Sequence, residues 1–318
     1  MWARIMLGVA IFSLLLWGGG AGAQPAAPAA KIVVGSLKIA NLTPLYIAEK
    51  LGYFRQEGVD VEVKFLGGGA ESLAVLAAQK LDIIYSNWTS FLQARAAGYN
   101  FLIIAGNASA PRQAPTGLAL FTRQDGPVRT LKDLEGRTVA VNNLKNVTWL
   151  TAVVALEKNK VDPKRVNFRE VPWPNMADAV LKGQVDGAVL PEPFSTILQQ
   201  TGKARILAYP YIDTQPGLPL AGWIAEEGWI KEHSQLVEKF VRSIRRAMAV
   251  MNEKKAEGVQ YLIEFTQMKP ELAQKVALDI LDTRVDSEGL QRYADLMVRH
   301  GLLKAPLDVT KIIYKTGP

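Results

Sequence analysis

Val34-Gly35-Ser36-Leu37-Lys38 returns as Val141-Asn142-Asn143-Leu144-Lys145, 107 positions later, and the residues after each copy keep one grammar. After both comes a helical stretch ending in Glu-Lys (Glu49-Lys50, Glu157-Lys158), then a strand (59–66, 167–171), then a second helix. Further on, Ala78-Gln79-Lys80-Leu81-Asp82-Ile83-Ile84-Tyr85 answers Lys182-Gly183-Gln184-Val185-Asp186-Gly187-Ala188-Val189, with Asp82/Asp186 and Gly98/Gly202 each 104 apart. The slip between the two offsets is what surface loops absorb. Strands alternating with helices predict an α/β fold with a mostly parallel sheet. Duplication predicts two such lobes facing each other across a cleft.

Sheets of this kind bind ligands outside the carboxyl ends of their strands. Six loops fall there: Ser36–Thr43, Gly67-Gly68-Gly69 and Ser86–Thr89 in the first copy, and Asn142–Thr148, Pro172–Asn175 and Pro191-Glu192-Pro193 in the second. Gly68 and Gly69 open a helix and expose backbone N–H groups; no Gly-Lys-Ser/Thr comes after them, so this is not a nucleotide phosphate loop. Thr43-Pro44 and Asn146-Val147-Thr148 read as helix starts, whose dipoles favour negative charge in the cleft. Glu192 opposes them, either recognising a donor or cation on a ligand or serving as a helix cap or hinge partner. Trp88, Trp173 and Trp223 offer flat walls, with core packing the alternative for each. Asn87 and Asn143 lie on opposite walls, placed for one ligand to bridge them.

Composition narrows the function. The 318 residues are 49% hydrophobic, enough for two compact cores. Arg4, the apolar run Ile5–Trp17 and Ala21-Gly22-Ala23 predict a cleaved export signal over 1–23, with a Pro/Ala linker after it over 24–30. Thirteen apolar residues fall short of a bilayer span. Cysteine is absent, which excludes disulfides, thiolate metal sites and a lipid-anchored N-terminus. A periplasmic location is expected. Net charge +7 becomes +6 once Arg4 leaves with the signal. Lys239, Arg242, Arg245 and Arg246 share one helix face, read as a solvated face or a docking surface for a membrane partner. No basic stripe is interleaved with aromatics, so nucleic acid is not expected. His233 and His300 lie outside the six loops, and neither a nucleophile elbow nor a His-Glu-x-x-His motif occurs. No catalytic residue, metal or cofactor is expected.

Leu42-Thr43-Pro44-Leu45-Tyr46-Ile47-Ala48-Glu49-Lys50-Leu51-Gly52-Tyr53-Phe54-Arg55-Gln56-Glu57-Gly58-Val59-Asp60-Val61 resembles the opening signature of nitrate/sulfonate/taurine-type solute-binding proteins of ABC importers. Gly183–Ala188 through Glu192-Pro193-Phe194 is similar to their second-lobe signature. The similarity spans about 31–229. It implies a two-lobed periplasmic-binding-protein fold with two hinge crossovers, a ligand captured by closure, and delivery by a monomer to an inner-membrane permease. Ligands across that family include sulfonates, taurine, nitrate, pyrimidines and aromatic acids. An extracytoplasmic sensor is the alternative. A thiamine-pyrimidine synthase is disfavoured, because those enzymes use a cysteine-rich motif and a pocket histidine.

The apolar strands 118–122 and 220–225 are the expected hinge strands. The expected lobe map is 31–124 for the first part of lobe one, 125–214 for lobe two, and 215–318 for the return to lobe one with C-terminal helices.

Overall fold

Asp82 and Asp186, the matched acids of the two copies, do the same job. Asp82 accepts a hydrogen bond from the Val33 N–H at 2.7 Å while its own N–H donates to the Val33 carbonyl at 2.9 Å. Asp186 accepts from Thr138 N–H at 3.0 Å and donates to the Thr138 carbonyl at 2.8 Å. Each clasp fixes the start of one strand beside the central strand of its sheet, which is why the acid recurs in both copies.

The computed structural model describes residues 29–315. The expected signal (1–23) and most of the linker lie outside the described residues. The strands, in chain order, are β1 (Ala30–Ser36), β2 (Val59–Phe65), β3 (Ile83–Asn87), β4 (Phe101–Ser109), β5 (Leu118–Arg123), β6 (Thr138–Val141), β7 (Asn167–Glu170), β8 (Gly187–Pro191), β9 (Ala204–Ala208), β10 (Pro219–Glu226) and β11 (Ile280–Leu281). They form two sheets, ordered β11-β4-β10-β3-β1-β2 and β7-β6-β8-β5-β9. The orders β2-β1-β3-β10-β4 and β7-β6-β8-β5-β9 are the same topology. In each, three parallel strands meet one antiparallel strand, and the next neighbour restores the original direction. Helices repeat likewise: Thr43–Lys50 with Val147–Lys158, Gly69–Ala77 with Trp173–Leu181, and Trp88–Ala96 with Phe194–Gln199. This is the two-lobed fold that the duplication predicts.

The antiparallel members, β10 and β5, are the first strands after each crossing between lobes. Leu118–Arg123 therefore pairs wholly with the second sheet and Pro219–Glu226 wholly with the first. This corrects the expected hinge strands and the expected boundary at 124. Both strands are buried and fully paired, so the crossings are the segments before them, 110–117 and 215–218, which meet where Ala110 N–H donates to the Leu218 carbonyl at 2.8 Å.

Beyond β10 the 20-residue helix Ser234–Glu253 buries Val237, Phe240, Val241 and Ile244 against lobe one. Its basic face is largely used for docking. Arg242 reaches Glu57 at 2.9 Å, Arg246 donates to Gln56 at 2.9 Å and lies 4.1 Å over the Tyr53 ring, and Arg245 donates to Thr283 at 3.1 Å. Among the described residues no helix is long and apolar enough to cross a membrane.

Candidate functional site

A cavity, part of it open to solvent, lies between the carboxyl ends of the two sheets. Gly69 and Asn87 line it from the first lobe, and Asn142, Asn146, Thr148 and Trp173 from the second. Gly69 is required by proximity: a Cβ there would stand 2.6 Å from Ser86 Oγ and 2.7 Å from Asn87 Nδ2.

The asparagines are both helix caps and cavity wall. Asn87 Oδ1 accepts from Ser90 N–H at 3.0 Å, capping Trp88–Ala96. Asn146 Oδ1 accepts from Trp149 N–H at 3.1 Å, capping Val147–Lys158. The cap occupies the oxygen and leaves amide N–H at the cavity: both hydrogens at Asn87, and one at Asn146, whose other is donated to Asn142. Asn142 Oδ1 accepts from Asn146 Nδ2 at 2.8 Å and from Thr148 Oγ1 at 2.9 Å, which fixes the second wall.

Two buried carboxylates complete the lining. Glu192 Oε2 accepts from Thr196 N–H at 3.0 Å; its Oε1 accepts from Thr196 Oγ1 at 2.8 Å and, across the cleft, from Ala277 N–H at 3.1 Å. Burial raises its pKa to about 7, against the opposing effect of those donors. Asp279 accepts from Asn41 Nδ2 at 2.9 Å and from Gly117 N–H at 3.0 Å, and burial raises it to about 6. Tyr85 and Tyr211 line the same space, their phenols pushed up by burial and then by the Asp279 charge. None of the lining side chains is Lys, Arg or His. The Trp173 indole N–H is buried without a partner among the described residues.

Six expected site residues thus come together around the cavity: Gly69, Asn87, Asn146, Thr148, Trp173 and Glu192. Five do not line it. Thr43 is buried and turns its hydroxyl onto the Ala40 carbonyl at 2.8 Å. Gly68 sits at the rim, where an added Cβ would meet Asn143 Oδ1 of the other lobe at 2.5 Å. Asn143 is taken up by Asn142, whose Nδ2 donates to its Oδ1 at 3.1 Å. Trp88 and Trp223 are core: the Trp88 ring lies under Gly222, and Trp223 packs edge-on to Tyr85 and Phe240. Asn41, Tyr85, Asn142, Tyr211 and Asp279 escaped the sequence reading. Asn41 and Asn142 lay within two of the six loops, but Asp279 arrives from 87 positions after Glu192 (279 − 192), with no motif to mark it.

The family model described as NMT1/THI5 like matches residues 39–257. YtlA of Bacillus subtilis (strain 168) is 24% identical over 260 residues, 79% of this chain and 74% of that protein. The riboflavin-binding protein RibY of Chloroflexus aurantiacus is 23% identical over 232 residues, 71% of this chain and 63% of that protein. The alkanesulfonate-binding protein SsuA of Xanthomonas axonopodis pv. citri, solved bound to MOPS, is similar in fold with a TM-score of 0.79 at 18% identity, covering 91% of this chain and 99% of that one.

Proposed function

We propose that this chain, which belongs to the NMT1/THI5-like family, is the solute-binding component of an ABC importer. It captures a small polar organic molecule between its lobes and presents the closed form to a membrane permease. The observation that carries this reading is a cavity whose polar lining comes from both lobes, with Asn87 and Gly69 on one wall and Asn142, Asn146 and Thr148 on the other. A ligand touching both walls binds the closed arrangement better than the open one and so shifts the population toward it. The resemblance of 42–61 and 183–194 to importer binding proteins supports delivery to a permease. The run Ile5–Trp17 with Ala21-Gly22-Ala23 supports export to the periplasm. We read the protein as a binder without a catalytic step: the lining holds no histidine and the chain no cysteine.

A thermal-shift panel of sulfonates, taurine, pyrimidines, aromatic acids and amines tests the reading. A solute at 100 times its dissociation constant adds about 2.7 kcal/mol to stability, so a true ligand raises the melting temperature by several degrees. A flat response across all classes at millimolar concentration would remove the solute-binding reading.

A further inference from the structure

The cleft has an acidic lining with no basic side chain to balance it. Asp279 and Glu192 both line it, both are about 5% exposed, and both were left by folding without a salt-bridge partner among the described residues. They differ in spare capacity. A carboxylate offers about four acceptor positions. Glu192 uses three, on Thr196 and Ala277, and stands as the cap of Phe194–Gln199. Asp279 uses two, on Asn41 and Gly117, and keeps the remainder beside Tyr85, Tyr211 and the cavity.

The opposing influence is the set of helix N-termini, whose dipoles favour an anion. Each supplies only about half a charge, spent within the first turn. At Trp88–Ala96 and Val147–Lys158 an asparagine oxygen takes one N–H of that end, and at Phe194–Gln199 the Glu192 carboxyl takes one; Gly69–Ala77 and Trp173–Leu181 also begin at the cavity and have no side-chain cap. Against those partial charges the lining sets two carboxyl groups and no basic side chain, so an anionic ligand meets no full positive charge and a charge repulsion that grows as the carboxyls ionise. What the walls offer instead is acceptor atoms on Asp279, a buried indole N–H on Trp173 that wants an acceptor, and the amide N–H₂ of Asn87.

We propose that the cleft selects a planar solute carrying N–H donors, neutral or cationic, and rejects anions, with Asp279 as the specificity-determining contact. This rests on the solute-binding reading and narrows its ligand. It also sets the present cleft apart from that of the sulfonate binder whose fold it shares.

Three near-isosteric probes test it: benzamidine as the cation, benzamide as the neutral donor and benzoate as the anion, each titrated calorimetrically against the full-length mature protein. Benzamidine should bind at least tenfold tighter than benzoate at pH 7.5, with benzamide between. The groups facing Asp279 are Glu192, Tyr85 and Tyr211. The phenols stay protonated throughout, so between pH 5.5 and 8 the two carboxyls govern the response: benzamidine should tighten as pH rises and benzoate should weaken. In Asp279→Asn the gap between amidine and benzoate should fall below threefold. The pH series on the unaltered protein decides the matter even if that variant folds poorly. Benzoate binding tighter than benzamidine, or all three failing while an alkanesulfonate binds, would overturn the inference. Cleft closure on an anion would overturn it and leave the solute-binding reading standing, whereas no closure with any compound of the wider panel is the result that would overturn that reading.

Discussion

At the residue scale, the informative groups are those that burial has left under tension. Glu192 and Asp279 have folded pKa values near 7 and 6, above the ordinary 4.5 and 3.8. Between those limits the folded protein holds protons that the unfolded chain has released. Their contribution to stability is therefore full below about pH 4 and is lost as pH rises through 6 and 7. Shifts of this size correspond to roughly 3 kcal/mol per group. Urea unfolding at pH 5 and pH 8 should show the loss. In Asp279→Asn and Glu192→Gln the drop between those pH values should shrink by about 1–3 kcal/mol. Identical drops in wild type and both variants would contradict the burial argument. Asp279 was invisible in the sequence because no motif surrounds it. It reaches the cleft only through β11, which pairs with β4 for two residues, Ile280 and Leu281.

At the element scale, the repeat was legible because it is enforced by hydrogen bonding that the backbone cannot forgo: the Asp82 and Asp186 clasps on the two sheets. Side-chain facing was less legible. Trp88 and Trp223 stand at the expected chain positions, yet both rings pack inward among Phe91, Tyr85 and Phe240. Loop position alone does not say which way a tryptophan turns when both environments are apolar. The caps give a two-part prediction. Asn146→Ala removes the cap oxygen, the bond to Asn142 and the amide hydrogen proposed to meet the ligand, so stability should fall by about 1–2 kcal/mol and binding by about 1–3 kcal/mol. Asn146→Ser keeps a cap oxygen but not the amide that donates to Asn142, so part of the lost stability should return and affinity should not. Denaturant titration with calorimetry separates the two. Recovery of affinity together with stability would make Asn146 a cap alone.

At the scale of the whole molecule, the lobes are joined across the cleft by short polar contacts: Ala40 N–H to the Glu192 carbonyl at 3.0 Å, Gln93 Nε2 to the Lys145 carbonyl at 3.2 Å, and Lys275 Nζ to Gln200 at 2.6 Å. His300 also lies 3.5 Å from Glu157 of the opposite lobe. The Gln93 and Lys275 contacts are exposed and each of the kind worth about 1 kcal/mol or less, whereas the contacts from Ala40 and Ala277 are made to the buried Glu192; a ligand bridging both walls adds to these in favouring closure. The two lobes and the cleft could be read from the duplication. The points of crossing could not, because an apolar strand looks the same on either side of a hinge, and only pairing assigned Leu118–Arg123 to the second sheet. The absence of native cysteine makes the decisive measurement direct. Phe65 and Leu144 are exposed at the cleft-side ends of β2 and β6, one on each lobe. Spin labels on the Phe65→Cys, Leu144→Cys double variant report the separation by double electron–electron resonance. With a solute that stabilises the protein in the thermal-shift panel, the distance distribution should shift to shorter values and narrow. An unchanged distribution at saturating solute would contradict the two-lobe clamp.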